Sequence, residues 1–190
     1  MFADLEAIAA QFTASAARAQ QLAESVSDAA WSVPPPRGGW SVGECIAHLT
    51  LTNERYLPIL AESADAAPFH EQDDDTPVRP MKRDLTGRLL TWMMEPPVRF
   101  RMRTAPAFVP GGAGSRAATM AAFDASQAAL LRQVEALDGM DLTTLRVISP
   151  FNPSMRYSVW SALHILAAHQ RRHLWQAERV RDRLRRKGIT

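Results

Sequence analysis

The sequence predicts an all-α fold, a four-helix bundle with one long crossover between the second and third helices. Three observations carry that expectation. Four long stretches repeat apolar residues at three- and four-residue spacing, the period of a helix with one buried face. A short Pro-Gly segment joins the first two, whereas the stretch from Ser63 to Arg116 separates the second from the third. Bundles take both kinds of connection, and each sets the direction of the helix that follows. Strand content is expected to be negligible.

The first helix is expected from Phe2 to about Ala30, with Leu5, Ile8, Phe12, Ala16, Ala19, Leu22 and Val26 on its stripe. Three prolines and two glycines between Trp31 and Gly39 end it. The connection is short, so the second helix should return antiparallel. Ser41-Val42-Gly43-Glu44 has the form of a capping box, with Trp40 placed to staple onto Cys45. That helix runs through His48, Leu49, Thr52, Tyr56 and Ile59 to about Glu62, and Pro58 is expected to kink its last turn.

Beyond Ser63 the pattern degrades. Asp65 to Thr76 is acidic and turn-like, Leu85 to Met94 fits a short helix, and Val98 to Gly114 reads as extended chain. So long a connection can carry the chain back along the bundle, placing the third helix parallel to the second. The third helix shows Met120, Phe123, Gln127, Leu130, Leu131, Val134 and Leu137, and Gly139 stops it. An irregular segment from Met140 to Tyr157 leads into the last helix, about Ser158 to Arg186, which contains neither Pro nor Gly.

At 190 residues the chain is expected to form one domain, residues 1–190, with a sizeable core. No apolar run approaches a membrane span. The acidic N-terminus, Met-Phe-Ala-Asp-Leu-Glu, is unlike a signal peptide, and the single Cys45 allows no intrachain disulfide; both fit a cytoplasmic protein. Of 22 basic residues only Lys82 and Lys187 are lysines, and the formal charge is only +2. The arginines gathered from Arg179 to Arg186 fit a solvated helix end against the dipole better than a nucleic-acid surface.

Function is read from the histidines. His169 and His173 are four apart, so they stack on one face of the last helix with Ala162, Ile165, Leu166, Gln176, Val180 and Leu184. Two imidazoles on an apolar, inward stripe are either ordinary core histidines or ligands for a transition metal. Gln170 stands where a zinc peptidase carries its general-base glutamate, which argues against that mechanism. His48 lies on the inward side of the second helix and would complete a three-histidine set with an open fourth position.

Two blocks, Trp40-Ser41-Val42-Gly43-Glu44-Cys45-Ile46-Ala47-His48-Leu49 and His169-Gln170-Arg171-Arg172-His173-Leu174-Trp175-Gln176, carry a resemblance to the DinB-like superfamily. They resemble its W-S-x-x-E-x-x-x-H-L and H-x-x-x-H-x-x-Q motifs. Thr104 to Pro110 in the crossover is a weaker match. The resemblance implies an up-down-down-up bundle, a divalent metal (zinc or nickel) at His48, His169 and His173, and often a homodimer. Relatives include transferases and isomerases that use low-molecular-weight thiols such as bacillithiol or mycothiol, so a thiol co-substrate and a small-molecule substrate are expected. Fold alone does not settle chemistry.

In a thiol transfer the metal would hold the thiolate, and two further side chains are candidates beside it. Arg55, two turns past His48, is placed to hold an acidic group, unless only its stem packs. Gln176, one turn past His173, is placed to orient a ligand or water, unless it simply packs. Metal-dependent hydrolysis and a non-catalytic, stress-associated metal-binding bundle are the alternatives. No carboxylate on the histidine faces presents itself as a base for hydrolysis. Cys45 reads as a small core residue, and His70 as solvated. His164 lies off the metal stripe, on a strip with Ala168 and Trp175 that a partner subunit or the crossover should cover.

Overall fold

The computed structural model describes residues 3–36, 38–66, 80–99 and 103–189. His70, and most of the acidic stretch around it, lie outside them. Four long helices make the bundle: α1 (Ala3–Glu24), α3 (Val42–Ala66), α5 (Arg116–Ala136) and α6 (Val159–Arg185). Two short helices sit in the connections, α2 (Asp28–Trp31) and α4 (Leu85–Met94).

Each boundary has a local cause. α1 ends at Glu24, and Ser27 restarts the chain as the N-cap of α2, its hydroxyl accepting from the Ala30 N–H at 3.2 Å. The single helix expected to reach about Ala30 is therefore two, because Ser27 competes for backbone donors. The Ser41 capping box forms in both directions: Ser41 N–H donates to Glu44 Oε2 at 2.8 Å and Glu44 N–H to Ser41 Oγ at 3.2 Å. Pro58 is carried within α3, which continues past it to Ala66. Asp84, Ser115 and Ser158 cap α4, α5 and α6, each side-chain oxygen accepting from the backbone N–H three residues on.

The packing fixes helix directions. One core cluster joins Leu5, Ile8 and Phe12 of α1, Tyr56 and Leu60 of α3, Leu130 and Val134 of α5, and Val159 to Ala167 of α6. The other joins Ala19 and Leu22, Val42 to Leu49, Met120 and Phe123, and Leu174 to Leu184. The early halves of α3 and α5 thus share one end of the bundle with the late halves of α1 and α6. The order is up-down-down-up, with α3 parallel to α5, as the connection lengths predict.

One element departs from expectation. β1 (Arg146–Ile148) and β2 (Arg156–Ser158) pair antiparallel within the segment read as irregular, with Val147 opposite Tyr157. Strands of three residues are too short to show a period in sequence. The hairpin positions the start of α6: Asp84 accepts from the Ser158 N–H at 2.6 Å and pairs with Arg146. Asp84 N–H also donates to Ser161 Oγ, and α4 is thereby clamped along α6. α4, the helix of the crossover, packs along α6, with Gly87 against Ser161.

Candidate metal centre

His48 from α3 and His169 and His173 from α6 meet in the interior, each at most 7% exposed. Their ring centroids are 4.4–5.0 Å apart, and one ligand nitrogen from each lies within 4.8 Å of the others. They meet because the parallel-antiparallel packing brings the first turns of α3 level with the middle of α6.

The hydrogen bonds prepare one nitrogen for coordination. His48 Nδ1 lies 2.7 Å from the carbonyl oxygen of Phe108, which can only accept, so Nδ1 carries the proton. Nε2 of His48 is then a lone pair, and it faces His169 Nε2 at 3.2 Å. Two nitrogens bound tetrahedrally at about 2.05 Å from one zinc would stand about 3.3 Å apart. The described residues leave this cluster unsatisfied. Nδ1 of His169 and Nδ1 of His173 are buried with no hydrogen-bond partner among the described residues. If His169 is protonated on Nε2, its Nδ1 is an unmet lone pair; if on Nδ1, an N–H is orphaned and two lone pairs oppose each other. An unmet buried polar atom costs about 1–3 kcal/mol. A divalent ion among the three rings removes the clash of lone pairs, and the donor set fits it.

Burial also keeps the rings neutral, the form that ligates. Desolvation lowers His48 from 6.5 to about 4, opposed by its bond to Phe108. Desolvation drives His169 and His173 well below the ordinary imidazole value, and neighbouring imidazoles and Arg172 push the same way. Aromatic rings wall the site: Trp40 lies 4.5 Å from His48 and 5.6 Å from His173, and Phe151 5.6 Å from His169.

A cavity of about 840 Å3 opens over the imidazoles, and His48, His169 and His173 form part of its wall. Gln176 lines it, half-buried, one turn beyond His173 on α6. Arg55 does not line it; the residue is exposed on α3. Seven residues beyond His48 is about 10.5 Å further along the helix. Among the described residues, the arginines that line the cavity are Arg99, Arg103 and Arg172. His164 stands apart, edge-on to Trp160 at 4.6 Å, and Cys45 is a fully buried core residue whose thiol is pushed up by burial. Trp175, which helical phase assigns to the strip with His164, lines the cavity half-buried, with the Arg179 guanidinium 5.1 Å above its ring.

Several site features were not expected from sequence. Trp40 caps the imidazoles as well as packing beside the core that holds Cys45. The Phe108 carbonyl comes from a 3-10 turn, Pro106–Phe108, within the weak crossover match, and is a backbone group no side-chain pattern marks. Phe151, Asn152, Met155 and Tyr157 reach the cavity from the hairpin, where no periodicity flags them.

In comparisons with known proteins, a family model described as the DinB superfamily matches residues 11–177. No curated protein and no solved structure matches significantly.

Proposed function

The chain belongs to the DinB superfamily, and we propose that it is a metal-dependent enzyme transferring a low-molecular-weight thiol to an electrophilic small molecule. The observation that carries this is the opening of three buried, neutral imidazoles onto a cavity of about 840 Å3. A purely structural metal site would be closed by its fourth ligand, and a ligand-sized pocket would have no purpose beside it.

His48, His169 and His173 would hold the ion, with zinc or nickel the metals that suit three imidazoles. Bound there, it would supply Lewis acidity that keeps a coordinated thiol deprotonated at neutral pH. The protein's own groups do the rest. Phe108 fixes the tautomer of His48 through its carbonyl oxygen. Gln176 reaches the cavity, where its amide can position a ligand. Trp40 and Phe151 pack against the imidazoles and give the site apolar walls. The thiol loses its proton to solvent, its sulfur forms a bond to the electrophilic carbon, and the leaving group departs with the bonding pair.

Hydrolysis is supported less well, because among the described residues no Asp or Glu lines the cavity to act as a base. The test is metal analysis of untagged protein, then reloading with zinc or nickel and assaying thiol consumption against a panel of thiols and electrophiles. Stoichiometric metal lost in His169→Ala, with metal-dependent thioether formation, is expected. Protein that binds no divalent metal, or reloaded protein inert with every thiol while hydrolysing esters or amides, overturns the proposal.

A further inference from the structure

The surfaces beside the imidazoles are aromatic. The Trp40 ring stands 4.5 Å from His48 and 5.6 Å from His173, inclined at 43° and 36°. Phe151 stands 5.6 Å from His169, inclined at 42°. Each of the three histidines therefore has an aromatic neighbour that also lines the cavity. The two neighbours come from separate segments, Trp40 from just before the Ser41 cap and Phe151 from the loop between β1 and β2. Phe151 is itself braced, with ring centres 4.3 Å from Phe108 and 6.0 Å from Tyr56.

The same chemistry continues along the wall. Trp175, half-buried, lines the cavity from α6, and the Arg179 guanidinium lies 5.1 Å from the centre of its ring. Two of the chain's five tryptophans thus line one cavity. Met94 of α4 and Met155 of the hairpin loop add thioethers to it. A purely aliphatic wall would not favour an aromatic ring over a saturated one, because apolar burial is non-directional. Aromatic rings and thioether sulfurs do discriminate. A π ring gains offset-stacked, edge-to-face and sulfur contacts beyond its buried area. A volume of about 840 Å3 is ample for a ring and its substituents.

We propose that the cavity selects a ligand carrying an aromatic ring, which packs against Trp40, Phe151 and Trp175 while its reactive or coordinating atom lies over the histidines. This rests on the cavity being the substrate site, not on the thiol chemistry. The ring belongs either to the thiol or to the electrophile, and the same walls would take both.

Calorimetric titrations of zinc-loaded protein would compare two pairs matched in ring size: phenylmethanethiol against cyclohexylmethanethiol, and benzamide against cyclohexanecarboxamide. The aromatic member of at least one pair is expected to bind about three- to tenfold tighter. Apolar burial alone predicts the reverse order, since the saturated ring is the more hydrophobic. A preference in the first pair puts the ring on the thiol, and in the second on the electrophile. Trp175→Leu keeps apolar bulk at a half-buried position, so it should fold and keep its zinc while losing most of the preference. Phe151→Leu, on a different element, should lower the preference as well. Both variants leave the acidity of the free thiols unchanged, so acidity alone predicts no loss. Equal affinities within both pairs, no measurable binding of any of the four, or a preference unchanged in both variants overturns the inference. Aromatic selection without any thioether formation would leave it standing and remove the thiol-transfer proposal. Thioether formation without aromatic selection would do the opposite.

Discussion

Acidifying the metal-free protein from about pH 7.5 to about pH 5 should cost it several kcal/mol of stability, and the imidazole cluster sets the sign. His48 is held at about 4 in the folded chain, against 6.5 for a free imidazole. Between those values the unfolded chain binds a proton that the folded chain refuses. The stability contributed by neutral His48 is therefore full above about pH 6.5 and is lost as the pH falls towards 4. At pH 5 the loss from His48 alone, RT ln[(1 + 10^1.5)/(1 + 10^−1)], is about 2 kcal/mol. His169 and His173 shift in the same direction, chiefly by desolvation, and add to it. A domain stable by about 5–15 kcal/mol would feel this strongly. Urea melts after chelation, followed by tryptophan fluorescence, measure it. His164 is also lowered to about 4, so wild type alone does not isolate the cluster. The decisive comparison is His48→Gln, which cannot titrate and should remove about 2 kcal/mol of the pH dependence. The same pH dependence in His48→Gln and wild type would refute the reasoning. Zinc at a thousandfold excess over its Kd should restore about 4 kcal/mol at the higher pH, and less at the lower, where protons compete.

Further expectations concern single residues. His48→Ala, His169→Ala and His173→Ala should each weaken metal binding by more than the about 10–100-fold typical of a supporting residue, whereas His164→Ala should leave it nearly unchanged; competition with a chelating dye reads both. Gln176→Ala should reduce turnover more than metal affinity, and Arg55→Ala should change neither, since Arg55 is exposed away from the cavity; steady-state kinetics with the metal content checked separates them. Gln170→Leu should destabilise by about 2–3 kcal/mol in urea melts, because Gln170 bonds Asn53 at 3.2 Å and Gln127 at 2.6 Å in a fully buried amide network. Gly87→Ala should loosen α4, since a Cβ there would collide with the Ser161 side chain that anchors it; about 1–3 kcal/mol lost, with faster hydrogen exchange in α4, is the expected result.

What the sequence determined by itself was periodic or local. Leu5, Ile8 and Phe12, or Leu130 and Val134, recur at a spacing only a helix turns to one side, and Ser41 with Glu44 closes a cap within four residues. His169 and His173 share a face for the same reason, and His48 falls on an inward one. Even the chain directions followed from connection length, because a short link cannot carry the chain back along a bundle. Tertiary structure alone decided what distant segments bring to one place. Arg55 stands exposed away from the cavity lining, because helical phase says which side a residue faces and not what stands opposite it at that level. Arg99 and Arg103 come from extended chain, Phe151 and Tyr157 from a hairpin of three-residue strands, and the Phe108 carbonyl from a backbone turn. None belongs to a period, so nothing in the sequence marks them until packing sets them around the imidazoles. The network of Asn53, Gln127 and Gln170 is of the same kind: one residue comes from each of three helices, and only their packing brings the amides together.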